Sequence, residues 1–155
     1  MFPVDAFRST LAKIASIFSE CEIRFHLTGG IATVAYGEPR MTQDIDIVIE
    51  NRAVASRLDA FLDALRVSDF LFDTDAVRRA VERQGMFQLL DTVETLKLDL
   101  YAREMIPGEL NRSRSVEVFE GMSLPMASPA DAAASKLVWV DKGSGKSRRD
   151  FRKIY

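Results

Sequence analysis

The chain has 155 residues, of which 47% are hydrophobic and 28% are charged, and its formal net charge is −2. This length predicts one domain, residues 1–155, with a single core. The small net charge gives no whole-chain electrostatic reason to expect nucleic-acid binding, although a local basic patch remains open. With one cysteine, Cys21, and one histidine, His26, the chain cannot build an internal disulfide or a cysteine-based zinc site. We therefore expect any catalytic metal to be magnesium, manganese or calcium held by oxygen ligands.

The N-terminal segment has the pattern of an amphipathic helix rather than of a secretory signal. Phe7, Leu11, Ile14 and Phe18 recur at spacings of three and four, which places them on one helical face. No apolar run approaches the length that spans a bilayer. The sequence thus predicts a cytoplasmic protein with no membrane partner.

Helical and strand-like patterns then follow one another along the chain. The predicted helices are Val4–Glu20, Ile31–Tyr36, Arg52–Leu65 capped by Asn51, Asp75–Arg83 capped by Asp73 or Thr74, Ala130–Val140 after Ser128-Pro129, and Arg148 to the end. The predicted strands are Ile23–Leu27, Asp44–Glu50, Met86–Leu90, Leu96–Tyr101, Val116–Phe119 and Met122–Met126, the last two joined by a turn at Glu120-Gly121. This order indicates an α+β fold, with a small mixed β-sheet and flanking helices.

Gly29 and Gly30 form, with Thr28, the predicted turn between the first strand and the helix Ile31–Tyr36. Such a pair is either a plain turn or a place where a phosphate approaches backbone N–H groups at a helix N-terminus. The predicted helix stops at Gly37-Glu38-Pro39, because proline disfavours helix in the preceding residue. Both interpretations of the pair place the turn beside the strand that follows.

Three aspartates occur within apolar strand patterns. Asp44 and Asp46 share one face of the strand Asp44–Glu50, because successive side chains of a strand point to opposite faces. Asp99 lies between Leu98 and Leu100 in a second strand. If these strands are neighbours, about 4.8 Å apart, the three carboxylates repel one another unless a cation neutralises them. The pattern therefore predicts a site for an oxygen-seeking divalent metal at Asp44, Asp46 and Asp99.

Together these motifs resemble the nucleotidyltransferase superfamily, whose fold is that of DNA polymerase β. Its members carry Gly-Gly or Gly-Ser, then, after about nine to thirteen residues, D-h-D-h (h is a hydrophobic residue), and a third acidic residue on a later strand. Further motifs are similar to the bacterial minimal nucleotidyltransferases, which include the abortive-infection toxins of the AbiEii type. Those motifs are Gly29-Gly30-Ile31-Ala32, Pro39-Arg40-Met41-Thr42, Ser135-Lys136-Leu137 and Arg148-Arg149-Asp150.

The resemblance implies a nucleotidyl transfer from a nucleoside triphosphate such as ATP to an acceptor hydroxyl, with release of pyrophosphate. Asp44 and Asp46 would bind the metal, and Asp99 would bind metal and help to activate the acceptor. Nucleotide contacts would come from Thr28, Gly29, Gly30, Arg40, Thr42 and Lys136. The acceptor is left open between RNA, a protein and a small molecule. A toxin–antitoxin role, with a cognate antitoxin or a second copy of the chain as partner, is the first interpretation.

Two other functions remain open at this point. Lincosamide-type antibiotic nucleotidyltransferases share a glycine pair followed by D-I-D, so a small-molecule acceptor is the second enzymatic interpretation. A catalytically inactive transferase fold acting as a binding module is the third. The sequence Gly143–Ser147 ends like a P-loop, but Val140 stands where the leading glycine belongs. His26 is predicted to be a hydrogen-bonded structural residue, and the basic segment 142–153 is either a solvated helix or a patch for a nucleotide or RNA.

Overall fold

The structure is a computed structural model that describes residues 4–29 and 44–141. The helices are α1 Val4–Glu20, α2 Asn51–Ser56, α3 Leu58–Arg66, α4 Thr74–Arg83 and α5 Pro129–Asp141, with a 3₁₀ turn at Leu110–Arg112. The strands are β1 Phe25–Thr28, β2 Asp44–Ile49, β3 Phe70–Leu71, β4 Met86–Asp91, β5 Leu96–Tyr101, β6 Arg114–Phe119 and β7 Met122–Met126. No helix within the described ranges is long and apolar enough to cross a membrane.

The seven strands form one mixed sheet in the order β3-β4-β5-β2-β1-β7-β6. Strand β2 lies in its centre, parallel to β5 and antiparallel to β1. The hairpins β4–β5 and β6–β7 are antiparallel. The predicted α+β class with a mixed sheet and flanking helices is confirmed, and the two strands that carry aspartates are direct neighbours.

The hydrophobic core lies between one face of the sheet and helices α1, α3 and α4. Phe18 of α1 packs on Phe25 and Phe61, with ring centroids 4.6 and 6.1 Å apart, and Phe61 meets Phe87 of β4 at 6.2 Å. Burying one such side chain contributes about 1.5–3 kcal/mol. The alternation of β2 sends Ile45, Ile47 and Ile49 to the same buried face. Asp44 and Asp46 are consequently on the opposite face.

The helix predicted at Arg52–Leu65 is instead two helices, and Asn51 is not its cap. Helix α2 ends at Ser56, whose hydroxyl donates to the carbonyl of Ala53 at 3.0 Å. Side-chain bonds of this kind compete with the helical backbone ladder. Arg57 then leaves the helical region, at φ −119° and ψ 22°. Asn51 is the first residue of α2, and its amide donates to the carbonyl of Val81 at 2.9 Å, so it joins α2 to α4.

The other predicted bounds are close to those observed. Helix α1 and strand β5 have the predicted bounds, and Asp73 caps α4 by accepting from the N–H of Ala76 at 3.1 Å. Strand β1 is shifted: it begins at Phe25 rather than Ile23, because Glu22 adopts a left-handed φ of 56° that delays the extended chain. Thr28 therefore belongs to β1 and not to the turn. The short strand β3 and the 3₁₀ turn were not predicted.

Several predicted features lie outside the described residues. They are Gly30, the helix Ile31–Tyr36, the turn at Gly37-Glu38-Pro39, Arg40, Thr42, the segment 142–147 and the C-terminal helix from Arg148.

Candidate active site

Strand pairing brings the aspartates of β2 and β5 together. Asp46 and Asp99 are partners in the parallel β2–β5 ladder, and Asp44 lies two residues before Asp46 on the same face. All three are half-buried, whereas the aliphatic residues between them are fully buried. The predicted convergence of two strands is confirmed for Asp46 and Asp99, and Asp44 extends the same acidic face toward the start of β2.

Gly29 approaches the carboxylate of Asp46 so closely that no side chain fits there. Its φ is +65°, in the left-handed region that glycine adopts at least cost. A Cβ on Gly29 would lie 2.9 Å from Cγ of Asp46 and closer still to its Oδ2. Thr28, the residue before, is the β-ladder partner of Asp46. The first glycine of the pair is therefore needed for Asp46, whether or not it also receives a phosphate.

Two further side chains contact the carboxylates and were missed from the sequence. Gln88 of β4 donates from Nε2 to Oδ1 of Asp99 at 3.0 Å, and Tyr101 of β5 donates from Oη to Oδ1 of Asp46 at 3.4 Å. Burial and the charges of Asp46 and Asp99 raise the pKa of the Tyr101 hydroxyl, and the more remote charge of Asp44 acts in the same direction. Tyr101 thus remains a neutral donor within an acidic face.

The sequence does indicate that Tyr101 lies on the same face as Asp99, because the two are two residues apart in a strand and such residues share a face. The same rule places Lys97 on this face, and the ladder sets it beside Asp44. Lys97 is exposed, and the strand pairing places its Cα beside that of Asp44. Gln88 had no such signal, since its position beside Asp99 depends on the register of β4 against β5.

Thr28 adds a polar group to the same place. Its side chain is 6% exposed, and its hydroxyl has no hydrogen-bond partner among the described residues. A buried hydroxyl without a partner costs about 1–3 kcal/mol, so such groups are uncommon away from functional sites. The location next to Gly29 and Asp46 is consistent with the predicted contact of Thr28 with a nucleotide.

His26 is a structural residue, as predicted. It is fully buried in β1, with Nδ1 2.7 Å from Oγ of Ser113 and Nε2 2.8 Å from Oε1 of Glu109. The other oxygen of Glu109 accepts from the N–H groups of Met105 and Ile106, at 2.6 and 2.8 Å. These contacts fasten the segment between β5 and β6 to the strand that ends at Thr28.

The same segment holds the start of α5. Arg112 makes a bidentate pair with Asp131, from Nε and Nη2 to the two carboxylate oxygens at 2.9 Å each. Ser128 caps the helix, since its hydroxyl accepts from the N–H of Asp131 at 3.1 Å and donates to Oδ2 at 2.9 Å. The hydrogen bond from Arg112 lowers the pKa of Asp131. Helix α5 carries Lys136, whose side chain lies outside the described residues, so its predicted nucleotide contact stays a prediction.

A cavity of about 360 Å³ lies elsewhere, at the other end of β2. It is lined in part by Arg24, Glu50 and Glu104, and Glu50 is four residues from Asp46, roughly 13 Å along the strand. Both acidic residues are already engaged: Glu50 pairs with Arg24 at 2.7 Å, and Glu104 accepts from the N–H of Leu110 at 2.8 Å. This cavity is separate from the aspartates.

The donor set fits a hard divalent cation. Carboxylate oxygens are the ligands that magnesium and manganese prefer, and magnesium usually binds one or two carboxylates together with substrate phosphates. Asp46 and Asp99 supply such a pair. Across residues 4–29 and 44–141, no three acidic, histidine or cysteine side chains are gathered into a ready-made metal cage. The arrangement thus suits a cation that arrives with phosphate oxygens better than a permanently held structural ion.

Comparison with solved structures identifies the fold as that of a nucleotidyltransferase. TM1012 from Thermotoga maritima, described as a candidate nucleotidyltransferase, is 16% identical over all of this chain and 97% of its own, with a TM-score of 0.62. The antibiotic-resistance factor ANT(2'')-Ia is 15% identical over 98% of this chain and 83% of its own, at 0.61. The lincosamide antibiotic adenylyltransferase LnuA, solved with lincomycin, is 13% identical over 92% of both chains, at 0.52.

The family follows from the sequence itself. The family model for the nucleotidyl transferase AbiEii toxin of type IV toxin–antitoxin systems matches residues 14–152, and the chain belongs to this family. The resemblance inferred from the motifs is thereby confirmed. A comparison with curated proteins finds no match.

Proposed function

We propose that the protein is a metal-dependent nucleotidyltransferase whose reacting groups assemble at Asp44, Asp46 and Asp99. The observation that supports this most is that Asp46 and Asp99 are partners in neighbouring strands. At the same place the backbone of Gly29 closely approaches the carboxylate of Asp46. Adjacent carboxylates repel each other, and a bound divalent cation would offset that repulsion. Family membership supplies the reaction class, and the carboxylates supply the place where it would occur.

In the proposed reaction an acceptor hydroxyl attacks the α-phosphorus of a nucleoside triphosphate. The bond from the acceptor oxygen to phosphorus forms, the bond between phosphorus and the α,β-bridging oxygen breaks, and pyrophosphate leaves. Asp99 would accept the hydroxyl proton. Magnesium or manganese, when held by Asp46 and Asp99 together with phosphate oxygens and with Asp44 on the same face, would neutralise negative charge on the phosphates. The remaining contribution of the protein is to hold the reactants in line.

The triphosphate would be bound on the side of the sheet where β1 ends. Thr28 offers its buried hydroxyl there, and Gly29 with Gly30 would expose backbone N–H groups to a phosphate. Arg40, Thr42 and Lys136 would supply the remaining contacts, as the family motifs imply. Lys97, beside Asp44, is a further cation on the same face.

For the biological role we propose a toxin of a toxin–antitoxin system that modifies RNA or a protein, in line with the description of the family. A cognate antitoxin or a second copy of the chain would be its protein partner. The near full-length similarity in fold to ANT(2'')-Ia and LnuA favours a small-molecule acceptor as the second candidate. Both candidates use the same three aspartates and differ in the acceptor.

The test is transfer of label from each α-³²P nucleoside triphosphate, with magnesium, in cell extract. We expect labelled product with the wild-type protein and none with Asp46→Ala. Digestion of the product with ribonuclease or protease then separates RNA, protein and small-molecule acceptors. Absence of both label transfer and pyrophosphate release with every triphosphate and either metal would contradict the proposed function.

A further inference from the structure

We infer that Gln88 and Tyr101 are positioning residues, which fix the carboxylates of Asp99 and Asp46 in the orientation that binds the metal–nucleotide complex. The inference rests on the proposed function, because it assigns these residues a role at the same site. Neither residue belongs to the motifs that mark the site in the sequence. Each reaches its aspartate from a rigid β-strand rather than from a loop.

The contact of Gln88 with Asp99 is built by the β4–β5 ladder. Gln88 and Asp99 are direct partners in an antiparallel pair that runs without interruption from Met86 to Asp91. Six consecutive residue pairs hold the two Cα atoms in place, so the amide of Gln88 arrives at Asp99 without a loop having to order. The bond from Nε2 to Oδ1, at 3.0 Å, selects one orientation of the carboxylate.

The chemistry of the amide also matters. A lysine or arginine at this place would pair with Asp99 and compete with a bound cation for its charge. A neutral amide donates one hydrogen bond and brings no positive charge of its own to the carboxylate. Gln88 is exposed, so burial in the core does not explain why a polar side chain reaches toward Asp99.

Tyr101 lies two residues after Asp99 on the same face of β5, and it contacts Asp46. Its hydroxyl donates to Oδ1 of Asp46 at 3.4 Å. The other oxygen, Oδ2, is the atom that a Cβ on Gly29 would approach most closely. The carboxylate of Asp46 thus lies between the half-buried hydroxyl of Tyr101 and the backbone of Gly29, which carries no side chain. Because phenylalanine has the same ring, Tyr101→Phe removes the hydroxyl, and with it the hydrogen bond to Asp46, and keeps the ring.

Outer partners of metal ligands orient those ligands, and their loss typically costs 10–100-fold in metal affinity or activity. We therefore expect the dissociation constant for Mn²⁺ to rise about tenfold or more in Gln88→Met and in Tyr101→Phe. We also expect kcat to fall, with a smaller change in KM for the triphosphate, because the hydrogen bonds orient the reacting groups rather than the nucleotide. Gln88→Met keeps the approximate length of the side chain and removes the amide, including the Nε2 donor.

The experiment measures Mn²⁺ affinity by electron paramagnetic resonance, with a saturating non-hydrolysable nucleoside triphosphate present, and stability by urea unfolding, in these two variants and in Gln84→Met. Gln84 is an exposed glutamine just before β4 and serves as the matched control. Weaker Mn²⁺ binding in Gln88→Met and Tyr101→Phe, with unchanged urea midpoints and an unchanged control, supports the inference. Wild-type Mn²⁺ affinity in both variants, while Asp46→Asn loses binding, overturns the inference and leaves the proposed function standing. Wild-type affinity in Asp46→Asn itself overturns both.

Discussion

Replacing Gly29 by alanine tests whether the glycine turn exists to admit the carboxylate of Asp46. Alanine at φ +65° must adopt the left-handed backbone conformation, which costs about 1–2 kcal/mol. Its Cβ would also stand 3.0 Å from Cβ of Asp46 and 2.9 Å from Cγ. Overpacking of this kind adds about 1–3 kcal/mol, so we expect Gly29→Ala to lower the free energy of unfolding by about 2–5 kcal/mol in total.

Gly121 provides the matched control. It has a similar φ of +76°, but a Cβ placed there meets no atom within 4 Å. Gly121→Ala should therefore cost only the backbone share, about 1–2 kcal/mol. The difference between the two variants isolates the contact with Asp46, independently of the conformational preference of glycine.

The assay combines urea unfolding with Mn²⁺ affinity and label transfer. If alanine displaces the Asp46 carboxylate by about 1 Å, transfer should fall on the order of 100-fold, whereas Gly121→Ala should retain wild-type transfer. Equal destabilisation in the two variants, together with wild-type Mn²⁺ binding in Gly29→Ala, would refute the reasoning. The glycine would then be only a turn residue.

Three further predictions concern the buried polar groups. Asp91 is fully buried and accepts from Thr10 at 2.6 Å, so Asp91→Asn should lower the free energy of unfolding by about 3 kcal/mol in urea denaturation; a change below 1 kcal/mol would contradict this. His26→Ala should lower the free energy of unfolding by about 3 kcal/mol, because it removes one buried partner from Glu109 and one from Ser113, and the thermal transition should remain cooperative. Arg112 lowers the pKa of Asp131. The stabilisation that the Asp131 carboxylate contributes to the folded state is therefore present above its unfolded pKa of 3.8 and is lost as the pH falls below that value. The difference in urea midpoint between wild type and Asp131→Asn should accordingly be constant from pH 5 to 7 and shrink below about pH 4; a constant difference down to pH 2.5 would contradict the assignment.

The sequence was sufficient to predict which face of a helix or strand a side chain occupies, because the periodicity of the pattern alone determines that face. The alternation in β2 separated Asp44 and Asp46 from Ile45 and Ile47, and the structure confirms that separation. The 3.6-residue pattern of α1 likewise gave its buried face. In both cases a local rule about side-chain direction was enough.

Features that depend on contacts distant in sequence were not predictable. The order of strands and the register of β4 on β5 place Gln88 beside Asp99, and no local pattern encodes that register. Glu109 is fully buried although it lies in an irregular segment, where charged residues are normally exposed. Its partner His26 is 83 residues away. The break at Arg57 was missed because apolar spacing continues through it and no proline or glycine marks it.

The central claim is tested most directly by comparing α-³²P and γ-³²P labels on the same nucleoside triphosphate in the presence of magnesium. We expect only the α label to enter the acceptor and the γ label to appear in pyrophosphate, and we expect Asp99→Asn to abolish both. Entry of the γ label into the acceptor would identify a phosphotransferase instead. Undiminished transfer by Asp99→Asn would show that the paired carboxylates of β2 and β5 are not the reacting groups.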